Sequence, residues 1–327
     1  TYVGAFTALF AAVIAITQTD IKRVLAFSTI SQIAYMMVAL GVSGMGGHAG
    51  EGYTASMFHL FTHAFFKALL FLGAGAVIHA VHSNEMEAMG GLRKYLPVTH
   101  ITFLVACFSI AGIPPFSGFF SKDEILSAAF GHDKFIFAVL LLVAGLTAFY
   151  MFRLYFRIFW GTERKYEVRP HEAPASMLVP LVFLALLSCV TGWLPFSRLV
   201  SSDGIPYRLD IDWAIAAGGI LVSLAGIAVA TRFYMRERGL AARVAAKWAG
   251  FWWAAYHRFY VPLREGYRGM VRPPCDRRRY QCPRNGDGEP VACREGNAVG
   301  PCTDLRGGIR MVGTRYRGLC IYILTGL

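Results

Sequence analysis

Ser56-Met57-Phe58-His59-Leu60-Phe61-Thr62-His63-Ala64-Phe65-Phe66-Lys67-Ala68-Leu69-Leu70-Phe71 is a nearly unbroken apolar run interrupted by two histidines and one lysine. The apolar sequence around it covers residues 55–79. A membrane-crossing helix needs about 20 such residues. Lys67 stands near the midpoint, about a dozen residues or about 18 Å from either end at 1.5 Å per residue. That is beyond the reach of a snorkelling side chain. A lysine at mid-bilayer is costly, so it should face protein or water and carry function. His59, His63 and Lys67 are spaced i, i+4 and i+8, which puts all three on one helix face.

Burial disfavours the charged form of an amine. A lysine beside two imidazoles is therefore expected to exchange protons near neutral pH, and a proton relay is the first expectation for this face. The structural alternative is a lysine permanently paired with an acid in a part of the protein missing from this sequence. The other chemical alternative is metal, because His-x-x-x-His is an i, i+4 ligand pair. No acid lies between the two histidines and no third ligand is near in sequence, which disfavours zinc.

Composition extends this reading to the whole chain. Of 327 residues, 55% are hydrophobic and only 16% charged, where soluble domains carry about 25% charged residues. A single soluble domain is not expected, and whole-chain disorder is excluded. Seven apolar segments run roughly over 3–17, 24–41, 55–79, 99–130 with a break, 134–160, 177–195 and 213–231. The runs are continuous rather than alternating, which argues for helices over barrel strands. The expected fold is all-α: a polytopic membrane helix bundle over residues 1–232, about seven spans with one discontinuous. Apolar sequence begins at Thr1 with no basic leader before it, as expected for the C-terminal part of a longer membrane protein.

The connections assign sides. Lys22, Arg23, Arg93, Lys94, Arg164, Lys165, Arg169, Arg232, Arg236 and Arg238 fall on one side, against Lys122, Lys134, Arg198 and Arg208 on the other. The bias makes the first side cytoplasmic. Residues 80–98 and 161–176 are then expected inside, and 42–53 and 196–212 outside. Tyr150, Tyr155, Trp160, Trp193 and Trp213 lie near span ends and read as interfacial anchors. Arg153 and Arg157 read as snorkelling cations.

The fourth span is too long for one straight crossing, and Gly112, Pro114, Pro115 and Gly118 interrupt it. Such breaks survive in membranes where protein or water re-satisfies the backbone, and they often mark ion sites. Directly after the break, Lys122 and Asp123 place an ion pair. Ser121 and Glu124 also fit a capping box, which would make them structural. Ser28, Thr29, Ser31, Gln32 and Tyr35 in the second span read first as hydrogen-bonding groups between packed helices, and second as part of a hydrated path.

Four stretches now occur in order: Thr19-Asp20-Ile21-Lys22-Arg23-Val24-Leu25-Ala26-Phe27-Ser28-Thr29-Ile30-Ser31-Gln32, the His59/His63/Lys67 span, Met89-Gly90-Gly91-Leu92-Arg93-Lys94, and Gly118-Phe119-Phe120-Ser121-Lys122-Asp123-Glu124. Together they resemble the subunit L (chain 5) family of the proton-pumping NADH–quinone oxidoreductases, respiratory complex I. The resemblance is specific over residues 1–195, extends to about 261 and stops there. It implies an antiporter-like subunit of an H⁺-translocating enzyme, with no redox centre on this chain. NADH, flavin, iron–sulfur clusters and quinone would belong to partner subunits. By the same resemblance the central channel lysine is Lys67, its linking histidines are His59 and His63, and Lys122 with Asp123 lie on the route to the positive side of the membrane. The implied partners are the other membrane subunits of complex I and the lipid bilayer, with no nucleic acid. The implied location is a bacterial inner (plasma) membrane, with the C-terminal tail cytoplasmic. The family's first half, with its Glu–Lys input site, has no counterpart here.

Residues 233–261 read as an amphipathic interfacial helix, with Leu240, Val244, Trp248, Trp252, Tyr256 and Tyr260 repeating every fourth residue. By resemblance it starts the family's lateral helix. Residues 262–327 depart from the family. They hold 12 Arg and no Lys, with 11 Gly, 6 Pro and 5 Cys. Cys275, Cys282, Cys293, Cys302 and Cys320 show no C-x-x-C and are odd in number, so neither zinc nor a disulfide framework is expected. Contact with RNA or anionic lipid is a weak reading of the arginines, and a frameshift through GC-rich DNA is preferred. The tail is expected to have no fixed fold. Two rival functions remain: the large subunit of a multisubunit Na⁺/H⁺ antiporter, and a truncated membrane fragment that does not assemble.

Overall fold

The computed structural model describes residues 1–43, 50–164, 166, 169–196, 200 and 212–236. Within them the chain is helical: α1 Tyr2–Thr17, α2 Ile21–Val42, α3 Glu51–Val81, α4 Pro97–Ala111, α5 Ser117–His132, α6 Lys134–Tyr155, α7 Ala175–Val190 and α8 Trp213–Thr231. No strand occurs among the described residues; Asp20 and Glu85 form one isolated bridge. Among the described residues five helices are long and apolar enough to cross a membrane, and α1 and α4 are shorter apolar helices. The protein is a multi-pass membrane helix bundle. The expected amphipathic helix beyond Arg236 and the tail 262–327 lie outside the described residues.

Small side chains let the helices approach. α1 buries Gly4, Ala5, Ala8, Ala11, Ala12 and Ala15, and its neighbours are α2 and α6. Lipid-like interiors supply little hydrophobic drive between helices, so such close packing supplies dispersion contact instead. α3 is central and touches α2, α4, α5 and α7. At 31 residues it is about 46 Å long, longer than a hydrocarbon core of about 30 Å.

Capping begins several helices where the sequence places an acid. Asp20 accepts from Lys22 N (2.7 Å) and Arg23 N (3.2 Å) at the start of α2. Asp133 and Asp212 do the same for α6 and α8. Glu172 arrives from a distant loop and accepts from Val98 N at 2.8 Å and Thr99 Oγ1 at 2.6 Å, closing the start of α4. Each carboxylate satisfies orphan N–H groups.

The connections expected on one side do meet at one end of the bundle. Ile21 N donates to Asn84 O and Met86 N to Thr19 O. Tyr166 OH donates to Gly90 O at 2.6 Å. The Arg93 guanidinium lies 3.7 Å from the Trp160 ring centroid, and Arg157 pairs with Glu87 at 3.8 Å. Also at this end, the hydrogen bond from Tyr95, and then Lys94, hold the Glu163 carboxyl below its ordinary pKa. Tyr2 OH and Asp133 meet at 3.1 Å away from this cluster.

Three sequence expectations are corrected. Tyr150 is no interfacial anchor: it is fully buried, because α6 turns it inward onto α2. Tyr155 is buried too and binds His100 and Trp160. Arg153 does not snorkel to solvent. It is 0% exposed and donates from Nη1 to Gln18 O at 2.9 Å, capping the C-terminus of α1. Arg157 keeps 17% of its side chain exposed and fits the snorkelling pattern better. Trp193 and Trp213 are exposed near helix ends, as anchors require.

Candidate functional site

The break after α4 is where expected. Gly112 takes the left-handed conformation (φ +77) that ends α4, a conformation glycine adopts without a Cβ penalty. α5 restarts at Ser117. The backbone groups freed by the interruption find side-chain partners: Lys122 Nζ donates to Ile110 O at 2.6 Å, and Ser223 of α8 donates to Ala111 O at 2.9 Å. Gly118 N donates to Ser109 Oγ at 3.3 Å. α5 lies so close to α4 that a Cβ on Gly118 would stand 1.9 Å from Ser109 O.

This geometry corrects two readings of the segment. Lys122 and Asp123 do not form an ion pair with each other; successive residues on a helix point about 100° apart, and Lys122 turns to the end of α4 instead. Asp123 Oδ1 is buried with no hydrogen-bond partner among the described residues. The capping box is also absent. α5 starts four residues before Ser121, so Ser121 lies inside the helix and its hydroxyl reaches Ser117 O and Gly118 O.

α3 presents His59, His63 and Lys67 to the interior, at 0%, 5% and 5% exposure. The common face inferred from the i, i+4, i+8 spacing is real. The two imidazole centroids are 6.1 Å apart. Among the described residues His63 Nε2 has no hydrogen-bond partner. Lys67 Nζ donates to Leu25 O at 3.1 Å and Ser28 Oγ at 2.8 Å.

A string of polar side chains joins Lys67 to His59, and it does not run along α3. Tyr150 OH donates to Ser28 Oγ at 3.0 Å and lies 3.4 Å from Thr147 Oγ1. Gln32 Nε2 donates to Thr147 Oγ1 at 3.3 Å, and Gln32 Oε1 faces His59 Nε2 at 3.0 Å. His59 Nδ1 faces Ser121 Oγ at 2.8 Å, and Thr62 Oγ1 is 2.9 Å from the same hydroxyl. The string crosses α2, α6, α3 and α5.

The structure thus brings Lys67, His59 and His63 together on one helix face and places Lys122 and Asp123 on the neighbouring α5. Ser28 and Gln32, read from sequence as packing groups or path, join the string. Ser31 serves packing, donating to Ala8 O at 2.9 Å, and Thr29 bonds within its own helix. Tyr35 OH is buried with no hydrogen-bond partner among the described residues. Thr147 escaped the sequence reading, and Tyr150 was given the wrong role. Their i, i+3 spacing on an apolar helix was the available signal. Among the described residues no group of His, Cys, Asp and Glu has the arrangement of a metal site.

Residues 1–147 match the family model described as NADH:quinone oxidoreductase/Mrp antiporter, transmembrane. The chain is 38% identical over 302 residues to the NAD(P)H-quinone oxidoreductase chain 5 of a Picosynechococcus species, covering 79% of this chain and 44% of that one. It is 45% identical over 249 residues to the NADH-quinone oxidoreductase subunit L of Mycobacterium tuberculosis, covering 71% of this chain and 38% of that one. Among solved structures it resembles a chain of the membrane-bound sulfane sulfur reductase, an archaeal respiratory membrane complex, with a TM-score of 0.58 and 27% identity over 73% of this chain and 41% of that one. The chain spans less than half the length of these relatives.

Proposed function

Over residues 1–147 at least, the chain belongs to the membrane family of NADH:quinone oxidoreductase and Mrp antiporter subunits, and from that premise we propose that it is part of a proton-translocating subunit of an NADH–quinone oxidoreductase. In this reading protons move through the buried Lys67, His59 and His63 relay. Lys122 and Asp123 serve the route to the opposite membrane face. The driving energy comes from redox chemistry on partner subunits, which hold the NADH, flavin, iron–sulfur and quinone sites.

One observation carries the reading. Lys67 is almost fully buried, yet it donates only to neutral oxygens, and among the described residues no carboxylate stands within ion-pair distance of it. A permanently charged buried lysine calls for a charge partner, because burying an unpaired ion is very costly. A lysine that binds and releases a proton calls for polar neighbours that suit both of its states, and the Ser28 hydroxyl and the Leu25 carbonyl are such neighbours. The named relatives, quinone oxidoreductase subunits, favour this reading over an Na⁺/H⁺ antiporter subunit.

The proposed setting is a bacterial plasma membrane, with residues 80–98 and 161–176 cytoplasmic. Labelling with an impermeant thiol reagent checks it: Asn84→Cys should react only from the cytoplasmic side and Gly46→Cys only from outside. Labelling of Gly46→Cys from inside alone contradicts the assignment.

The tail fits a frameshift. Residues 262–327 hold 12 Arg and no Lys, with 11 Gly and 6 Pro, the composition of a shifted frame through GC-rich DNA. Sequencing the locus tests the function and the tail together. The expected result is genes for peripheral NADH-oxidising subunits next to this one, and an adjacent frame after Val261 encoding an amphipathic helix and a final span. Neighbouring antiporter genes would overturn the function. An intact open frame confirmed by resequencing would overturn the frameshift.

A further inference from the structure

The hydrogen bonds around His59 have a fixed polarity. Thr147 spends its own proton on Val143 O at 2.8 Å, so it meets Gln32 as an acceptor, and the Gln32 group facing it must be the NH₂. The Gln32 carbonyl oxygen is then the atom facing His59 Nε2. An amide oxygen only accepts, so Nε2 carries a hydrogen. In the neutral ring Nδ1 is therefore the bare, basic nitrogen, and it faces the Ser121 hydroxyl.

Ser121 is suited to both protonation states of that ring. Beside neutral His59 it donates to Nδ1. Beside protonated His59 it accepts from Nδ1–H and turns its own hydrogen to Thr62 Oγ1, or to Ser117 O at 3.4 Å or Gly118 O at 3.5 Å. Thr62 receives it because its own hydrogen goes to His59 O. Gln32, by contrast, has no transferable proton at ordinary pH. The other titratable groups that interact with the ring are His63 and Lys122.

We propose that Gln32 and Ser121 make His59 a one-sided proton carrier: Gln32 holds the Nε2–H in place, and Ser121 passes protons to and from Nδ1. On loading, the Ser121 O–H bond breaks as the Nδ1–H bond forms, and Ser121 regains a proton from a hydrogen-bonded water. Unloading is the reverse. Ser121 is a transport residue in this scheme and Gln32 a positioning residue. The inference rests on the proposed proton-translocating function and names the side from which His59 is served.

The test uses the full-length subunit in its assembled complex, with proton translocation measured in sealed vesicles and normalised to assembled enzyme. Ser121→Ala removes one hydroxyl from a helix that tolerates alanine. It should lower normalised pumping roughly a hundredfold, the low end of the range for loss of a positioned acid–base group. Ser121→Thr, which keeps the hydroxyl, should restore it. Gln32→Leu should lower it as well. Gln32→Glu, which can carry a proton, should add a passive proton leak absent from the parent. Lys67→Ala measured in parallel separates the outcomes. Normal pumping by Ser121→Ala alongside a defective Lys67→Ala overturns the one-sided carrier alone. Normal pumping by both overturns the relay itself.

Discussion

Lys67→Ala in the full-length subunit is expected to cut proton pumping per assembled complex by roughly two orders of magnitude, the scale of removing a positioned proton-transfer group. The residue's surroundings say why. Its ammonium is buried and donates to two neutral oxygens, Ser28 Oγ and Leu25 O, with no carboxylate within ion-pair distance among the described residues. Alanine removes the proton carrier and its two hydrogen bonds, to Ser28 Oγ and to Leu25 O. Lys67→Arg should not restore pumping, because a guanidinium keeps its proton. His63→Ala should do less damage. Among the described residues His63 Nε2 makes no hydrogen bond, so its loss strands no partner of that nitrogen, and water can bridge the gap along the same face.

The second large effect concerns the broken span. Gly118→Val is expected to remove most of the assembled subunit from the membrane, as quantified by immunoblot of native gels. A Cβ at this position would stand 1.9 Å from Ser109 O, and the obstacle is backbone, not a movable side chain. α4 and α5 would have to separate. That would break the Gly118 N to Ser109 bond and displace Lys122 from Ile110 O. Overpacking of this kind costs about 3 kcal/mol or more. Gly131→Ala, on the same helix with nothing within 4 Å of the added carbon, is the control and should assemble normally.

Much of this architecture was legible in the sequence. The spans follow from continuous apolar runs, and the break follows from Gly112 and the paired prolines, because hydrophobicity and proline chemistry are local. The common face of His59, His63 and Lys67 follows from helix geometry alone. The unread part is what depends on rotation about a helix axis and on neighbours distant in sequence. Arg153 and Tyr150 sit near a span end by residue number, which suggested the interface. The packing of α6 against α1 and α2 turns both inward instead. Lys122 and Asp123 are adjacent in sequence, which suggested a pair; on a helix adjacency separates side chains, and Lys122 found the Ile110 carbonyl that the break had freed. The polarity of Gln32 was hidden for the same reason: it is set by Thr147, 115 residues away.

The central claim is that the Lys67 proton comes and goes during turnover. The most direct measurement is protons translocated per NADH oxidised in sealed membrane vesicles, parent against Lys67→Ala, each normalised to assembled complex. The relay predicts a lower ratio for the variant at undiminished assembly. A lysine that only supports packing would reduce the amount of complex and leave protons per NADH unchanged, and that result would contradict the account.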